Sequence, residues 1–443
     1  MTSTLIIHPV QALRGTISVP GDKSISHRAV LLAALARGTS HIRHFLHGGD
    51  CEATVNAVHA LGVEVERPAP DQVIIHSPGP EGWQEPEDVI HCVNSGTTMR
   101  LLVGLLGAQP FTSVLTGSAQ LRRRPMARVT VPLRQMGATV LGRQEGRYAP
   151  LAVRGGNLQG MDYTLPVASA QVKSALMLAG LFARGETVIH EPGPARDHTE
   201  RMLRALGAPV RVEGPHIRVS SLTGPLPPLD MTVPGDFSSA AFFIVAGLLV
   251  PDGAITLKGV GVNPTRTGLL DALSAMGARV ELSNMRTVEG EPVADVRVQP
   301  STLESTEVGG PLVVRMIDEF PVFAVAATQA RGTTRVRDAA ELRVKETDRI
   351  ATVVQELGKM GADIEEREDG FVVHGPTPLR GARVSSHGDH RLAMALAVAG
   401  LIAEGETVID DADCIGDSYP GFVQTLERVS EEEGVGSGGV GSG

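Results

Sequence analysis

The sequence predicts an α/β protein of two similar domains, each built from three repeats whose helices are buried and whose sheets face outward. Three observations predict this fold. An unusually apolar helix followed by a short strand occurs again and again along the chain, a second kind of helix ends in a Leu-Gly or Met-Gly pair, and one motif occurs twice, half a chain apart. Self-similarity of this kind indicates a repeat architecture.

The first observation concerns a repeat with a period of roughly 70 to 80 residues. Each apolar helix lacks a polar face, which predicts burial on most sides. A glycine that closes the second helix of a repeat is typical of a C′ residue, and each repeat therefore reads as a βαβαβ unit. The apolar segments begin at Leu31, Leu101, Leu176, Phe242, Phe323 and Leu392, and the closing glycines are Gly62, Gly137, Gly207, Gly277 and Gly361.

The repeated motif is Val-Pro-Gly-Asp, found at Val19–Asp22 and again at Val233–Asp236. We interpret the two copies as the places where the chain crosses between domains. The predicted first domain is residues 21–235, and the second is residues 1–20 plus 236–430. The glycine-rich end, residues 431–443, is predicted to be a disordered tail.

Composition narrows the class of function. The 443 residues carry a net charge of −10, which argues against a nucleic-acid binder that neutralises phosphates over a broad basic face. Three cysteines without a spacing motif favour a reducing compartment and no metal site. No signal peptide is recognisable, and the apolar runs are too short to span a bilayer. We therefore expect a cytoplasmic monomer with no membrane and no nucleic-acid partner.

Polar groups stand directly before the apolar helices. The segment Gly21–Arg28 places a lysine, two hydroxyls and an arginine at a helix start, where free N–H groups and the helix dipole attract anions. Lys23, Arg28, Lys173 and Arg391 all lie in or near first turns, where a cation opposes the dipole by roughly 0.3–1 kcal/mol. Ordinary N-capping explains the hydroxyls and carboxylates but not these cations. The pattern predicts helix N-termini that converge on an anion-binding cleft between the domains.

Three further clusters carry charge. Arg122–Arg124 is a run of three arginines without a nearby acid, Arg196–Glu200 precedes a helix, and Glu341–Arg349 sets two cations one turn apart beside a carboxylate. A solvated charge run, a helix cap and a surface salt-bridge ladder are the alternatives, and these residues alone leave them open.

The chain resembles the 5-enolpyruvylshikimate-3-phosphate synthase family of enolpyruvyl transferases in motifs that follow one another along nearly its whole length. The resemblance implies two domains of three βαβαββ-type units, an inside-out α/β barrel fold, with the active site in the interdomain cleft. It implies transfer of the enolpyruvyl group of phosphoenolpyruvate to the 5-hydroxyl of shikimate 3-phosphate, with release of phosphate, no metal and no cofactor. The motifs are GDKSISHR, NSGTTMR, RRRP, SAQVKSA, RDHTE, the Asp318 segment, RVKETDR and GDHR.

The resemblance also implies residue roles. Asp318 would take the proton of the attacking hydroxyl, Glu346 would protonate the methylene carbon, and Lys23 would contact both substrates. Further residues implied for shikimate 3-phosphate are Ser24, Arg28, Ser169, Ala170 (by its backbone), Gln171, Arg196 and Lys345. Those implied for phosphoenolpyruvate are Gly96, Arg124, Gln171, Arg349 and Arg391.

Some positions depart from the family pattern. Ala170 stands where one branch carries serine, and Asp417 stands near a lysine that contacts phosphoenolpyruvate in some members, so we give Asp417 no role. Gly96 would leave room for the inhibitor glyphosate, although Leu101 differs from the proline of the sensitive branch.

Two rival functions were weighed against this resemblance. A sister transferase that acts on UDP-N-acetylglucosamine carries a loop cysteine and Lys-Asn at the opening motif, whereas the loop Arg122–Arg124 has no cysteine and Ser24 follows Lys23. A non-catalytic phosphate-binding relative would have no use for Asp318 and Glu346.

Overall fold

The computed structural model describes residues 3–430, so the predicted tail, residues 431–443, lies outside the described residues. The predicted fold class is confirmed, because six separate sheets surround a set of buried helices in an α/β arrangement. Each half of the chain therefore has three open sheets.

Within residues 3–430, six central helices form the interior. Each is buried over most of its length because its sequence is apolar on every face. Asp22, Ser95, Asp236 and Asp389 each cap one of them by accepting a backbone N–H. The central helices are Lys23–Leu35, Gly96–Leu106, Ala170–Gly180, Phe237–Leu249, Phe320–Thr328 and His390–Ile402.

Six outer helices alternate with the central ones along the chain. The five closing glycines follow the first five of them with φ between 75° and 107°, the left-handed region in which glycine is favoured. The outer helices are Gly49–Ala60, Ala127–Gln135, His198–Ala205, Gly268–Ala275, Arg349–Lys359 and Phe422–Ser430. Shorter helical turns are Pro80–Gly82, Leu121–Arg123, Arg143–Gly146, Pro311–Arg315, Ala340–Val344 and Ala412–Asp417.

Within residues 3–430, five of the six sheets share one strand order, whereas the sixth has three strands, with Thr4–Ile7 antiparallel to Thr407–Asp410 in place of a hairpin. In the shared order, a first strand lies parallel to a second, and a hairpin completes the sheet with its later strand in the middle. In the first half the sheets are Asp230–Thr232, Arg37–Arg43, Gln72–Pro78 and Glu64–Ala69; Ile90–His91, Thr112–Thr116, Tyr148–Arg154 and Thr139–Gly142; and Asp162–Thr164, Thr187–His190, His216–Val219 and Val210–Glu213. In the second half they are Ala12–Ile17, Asp252–Gly261, Glu291–Gln299 and Arg279–Val288; Glu307–Val308, Gly332–Val336, Gly370–Gly375 and Asp363–Arg367; and Arg383–Ser385, Thr407–Asp410 and Thr4–Ile7.

Two strands change halves where the chain crosses. Ala12–Ile17 precedes the first central helix but pairs with Asp252–Gly261, and Asp230–Thr232 precedes the fourth but pairs with Arg37–Arg43. Buried apolar side chains correspondingly form two clusters, a first core within residues 25–233 and a second core within residues 7–19 and 237–429. These observations support the division into residues 21–235 and residues 1–20 plus 236–430, which we retain as a proposal.

The two crossovers contact each other almost symmetrically. The N–H of Asp22 donates to the carbonyl of Pro234 at 2.8 Å, and the N–H of Asp236 donates to that of Pro20 at 2.8 Å. Arg266 joins the two aspartates with ion pairs of 2.6 and 2.9 Å. The crossovers thus hold the ends of two central helices side by side. Within residues 3–430, no helix combines the length and the apolar character needed to cross a membrane.

Candidate active site

A cleft of about 520 Å³ lies between the two halves of the chain. Residues at or next to the N-terminus of each central helix line it, so the predicted convergence of helix starts is present in the structure. Free N–H groups and dipoles at these starts favour anionic ligands. The predicted site residues that line the cleft are Lys23, Ser24, Gly96, Arg124, Ser169, Ala170, Gln171, Arg196, Asp318, Lys345, Glu346 and Arg391.

Glu346 lies between arginines from both halves of the chain. Its carboxylate is 3.2 Å from Arg124 and 2.7 Å from Arg349, and its carbonyl accepts a hydrogen bond from Gln120 at 3.0 Å. Burial alone would raise the pKa of Glu346, but the two guanidinium groups outweigh it and hold that pKa well below its usual range. Glu346 is therefore ionised at neutral pH in the substrate-free cleft.

Asp318 has a similar set of partners. Arg196 from the first half forms an ion pair with it, and Arg349 and Arg391 approach at 3.3 and 3.8 Å. Burial opposes ionisation, but these cations hold the pKa of Asp318 well below its usual range. Nearby Lys345 is half-buried, and desolvation lowers its pKa although Asp318 opposes this shift. An unprotonated Asp318 is the form that can accept a proton.

Lys23 is paired with a carboxylate that our sequence analysis did not single out. Its Nζ is 2.5 Å from Asp50, at the start of the outer helix Gly49–Ala60. Burial would lower the pKa of Lys23, but Asp50 more than compensates and raises it. Lys23 is thus a permanent cation in this cleft. The sequence offers two weak signals for this pair: Asp50 follows two glycines, and the chain has few lysines.

Gln171 is fixed by two residues of the neighbouring helix start. Its amide donates to the hydroxyl of Thr97 at 2.9 Å and accepts from Arg100. Arg100 also lines the cleft, and burial together with Arg124 lowers its pKa to about 10. Our sequence analysis assigned it no role, although it ends the NSGTTMR motif one helical turn after Gly96.

Arg28 and Arg349 lie behind the cleft and do not line it. Arg28 donates to the carbonyl of Ser24 at 2.9 Å and to the hydroxyls of Thr199 and Ser174 at 2.7 and 3.0 Å. Arg349 is 1% exposed and also pairs with Asp389 at 2.8 Å. In the substrate-free structure both arginines support the residues in front of them.

Lys173 departs from the sequence prediction. We grouped it with the first-turn cations that an anion would stabilise, but it is fully buried and does not line the cleft. It pairs with Glu191 at 2.8 Å and Glu200 at 2.6 Å. Both partners are distant in sequence, so only the tertiary structure reveals that its counter-ions are internal.

The histidine of the GDHR motif lines the cleft next to Arg391. Burial, Arg391 and Lys23 together lower the pKa of His390 to about 3, so its ring is neutral at pH 7. The cleft therefore presents fixed cations, the ionised carboxylates of Asp318 and Glu346 among others, and a neutral imidazole.

Comparisons with known proteins show the family to which the chain is similar. Residues 7–426 match the family model described as EPSP synthase (3-phosphoshikimate 1-carboxyvinyltransferase). The chain is 53% identical to the 3-phosphoshikimate 1-carboxyvinyltransferase of Desulforamulus reducens, with 97% of this chain and 100% of that protein covered. It is 56% identical to the protein of the same name from Desulforudis audaxviator, over 97% and 100% of the two chains. The crystal structure of EPSP synthase from Acinetobacter baumannii superimposes with a TM-score of 0.88 at 43% identity, over 97% and 98% of the chains.

Proposed function

The chain belongs to the EPSP synthase family, and we propose how its cleft transfers the enolpyruvyl group of phosphoenolpyruvate to the 5-hydroxyl of shikimate 3-phosphate. One observation carries the proposal. Two carboxylates of the second half, Asp318 and Glu346, face the arginines and the lysine of the first half across one cleft. The reaction needs such a set, because an alkene carbon must gain a proton while a hydroxyl loses one.

The first step joins the two substrates. Glu346, which must first take up a proton when the substrate anions bind at its arginines, gives that proton to the methylene carbon of phosphoenolpyruvate, and the cationic centre at the adjacent carbon is attacked by the 5-oxygen of shikimate 3-phosphate. Asp318 accepts the hydroxyl proton as the new C–O bond forms. The product of this step is a tetrahedral adduct that still carries the phosphate.

The second step releases phosphate. The C–O bond to phosphate breaks, the methyl group returns a proton, and the carbon–carbon double bond forms again. Lys23, Arg124 and Arg391 would stabilise the negative charge on the leaving phosphate and on the carboxylate. Holding three anionic groups close together requires such a density of cations.

Binding of shikimate 3-phosphate is assigned to residues from both halves of the chain. Ser24, Ser169, Gln171 and Arg196 would contact it from the first half, and Lys345 would hold it from the second. Ala170 can offer only its backbone N–H, at the start of its helix. Arg28 and Arg349 would act from behind these residues.

The rival function on UDP-N-acetylglucosamine has less support. No cysteine lines the cleft within the described residues. Cys51 and Cys92 are buried, and burial raises the pKa of both thiols. The cleft therefore offers no thiol as an acid. We further propose that the chain acts as a cytoplasmic monomer, since one chain supplies the whole site.

A phosphate-release assay tests the function. We expect phosphate release from phosphoenolpyruvate only when shikimate 3-phosphate is present, and none with UDP-N-acetylglucosamine. Binding of shikimate 3-phosphate without phosphate release would favour the non-catalytic relative, and release with UDP-N-acetylglucosamine alone would contradict the substrate assignment.

A further inference from the structure

The segment Glu191–Asp197, here called the Arg196 loop, connects the strand Thr187–His190 to the outer helix His198–Ala205. It carries Arg196, which reaches across the cleft to Asp318. The position of Arg196 therefore depends on what fixes this loop.

The first core holds the loop through one buried cation. Lys173 donates to the carbonyl of Ala195 at 3.3 Å while its charge is balanced by Glu191 and Glu200. Both partners of this hydrogen bond lie in the first half of the chain, so the contact does not depend on where the second half lies.

The second half contacts the other end of the loop through Asn263 and, at 3.3 Å, through the hydroxyl of Thr265, which both donate to Asp197. Arg201 of the first half pairs with the same carboxylate at 2.9 Å. The side-chain amide of Asn263 donates to Asp197 at 2.7 Å and to Glu291 at 3.0 Å. Glu291 in turn contacts Nδ1 of His198 at 2.8 Å. Asn263, Glu291 and His198 are each no more than 2% exposed, so water does not weaken these contacts by competing for the same groups.

Asn263 is itself fixed by its own turn. Its carbonyl oxygen accepts hydrogen bonds from the N–H and the hydroxyl of Thr265 at 2.9 and 2.8 Å. All four hydrogen-bonding positions of the amide are thereby used. The side chain is held in the orientation that meets Asp197, the residue directly after Arg196.

We infer that Asn263 is a positioning residue for Arg196. Through Asn263, the position of the second half of the chain determines where Arg196 lies in the cleft and therefore how shikimate 3-phosphate binds. This inference rests on the proposed function, because it takes Arg196 as a contact of shikimate 3-phosphate. Asn263 lies behind the loop and outside the cleft lining, so it acts through Arg196 and not on substrate.

Two substitutions separate this role from a general loss of stability. Asn263→Ser keeps an acceptor for the N–H of Thr265 but removes the donor to Asp197. Asn263→Asp keeps the size and the acceptor and places a third carboxylate against Asp197 and Glu291. The matched control is Asn284→Ala, which removes a 2.8 Å hydrogen bond to Asp295 in the same half but away from the cleft.

Steady-state kinetics of the full chain provide the test. We expect Asn263→Ser to raise KM for shikimate 3-phosphate about tenfold, the scale of one hydrogen bond to a charged group. KM for phosphoenolpyruvate should change less than about twofold, and Asn263→Asp should raise KM for shikimate 3-phosphate further. Thermal unfolding confirms that each variant is folded at the assay temperature. Asn284→Ala should match the unsubstituted chain in both KM values.

A double substitution tests whether Asn263 acts through Arg196. Arg196→Ala with Asn263→Ser should have the KM of Arg196→Ala alone. If the effects of Arg196→Ala and Asn263→Ser on KM multiply in the double variant, the inference is overturned. A KM of Asn263→Ser equal to that of Asn284→Ala would also overturn it, and both results would leave the proposed function intact. Failure of the unsubstituted chain to release phosphate would instead contradict the proposed function itself.

Discussion

The first half of the chain lines the cleft with Lys23, Arg100, Arg124 and Arg196, whereas the second half contributes Asp318, Glu346 and further carboxylates alongside its own cations, Arg266, Lys345 and Arg391. Both halves are built from the same repeat, so the difference lies in the few residues at the helix starts. Each reactive carboxylate is paired with an arginine of the other half before substrate binds. The anions of the substrates must then replace these carboxylates at the arginines.

The largest effect is expected at Glu346, the proposed acid. Glu346→Gln keeps the shape but cannot donate a carboxylic proton, so turnover should fall by roughly 10²-fold or more. The dissociation constant for shikimate 3-phosphate should stay within about threefold. Phosphate release and equilibrium binding measure the two quantities. Glu341→Gln, on the same segment but at the rim of the cleft, is the control, and wild-type-like turnover of Glu346→Gln would remove Glu346 from the mechanism.

Asp318→Asn should lower turnover by a similar factor, roughly 10²-fold, because an amide cannot accept the hydroxyl proton. The loss of its charge leaves Arg196 without its partner, so binding of shikimate 3-phosphate should be retained or tightened. The control is Asp252→Asn, which breaks an exposed ion pair with Arg14. Unchanged turnover in Asp318→Asn would assign the base elsewhere.

A substitution at Gly96 tests how much space the first half of the chain leaves beside this residue in the cleft. A Cβ at this position would lie 3.0 Å from Nη1 of Arg100 and 3.4 Å from Nη1 of Arg124. Gly96→Ala should therefore raise KM for phosphoenolpyruvate about tenfold and the inhibition constant of glyphosate by more, as expected for crowding of a packed site.

Gly358→Ala is the matched control for this substitution, because a Cβ there meets no atom within 4 Å and Gly358 does not line the cleft. Glyphosate sensitivity of the unsubstituted chain stays a prediction. An inhibition constant far above KM for phosphoenolpyruvate would contradict it.

The smallest effect is expected at the rim, where Arg128 and Glu341 form a 3.3 Å pair across the cleft. Their side chains are 34% and 47% exposed, so the pair should contribute less than about 1 kcal/mol. Glu341→Gln should change either KM by less than about threefold, and Glu307→Gln, at another exposed pair, is the control. A large effect on turnover would show that the rim takes part in catalysis.

Much of this architecture could be predicted from the sequence because it depends on local signals. Apolar helices, closing glycines and the two Val-Pro-Gly-Asp motifs give the repeats and the crossovers. The pairing of charges could not be predicted in the same way. These contacts depend on which distant segments of the chain pack together, and that packing cannot be read from a single sequence. Examples are the pairs Lys23–Asp50 and Lys173–Glu191 and the position of Arg28 behind Ser24.

The central claim is that Glu346 is ionised and paired with arginines in the free cleft but must carry a proton when it acts. Its pKa is depressed by Arg349 and Arg124, so bound anions that take over these arginines should raise it, and protons should then be taken up at pH 7. Calorimetric titration with shikimate 3-phosphate and glyphosate, in buffers of different ionisation enthalpy, measures this uptake. We predict a clear excess of protons taken up by the unsubstituted chain over Glu346→Gln. Equal uptake by the two proteins would contradict the account.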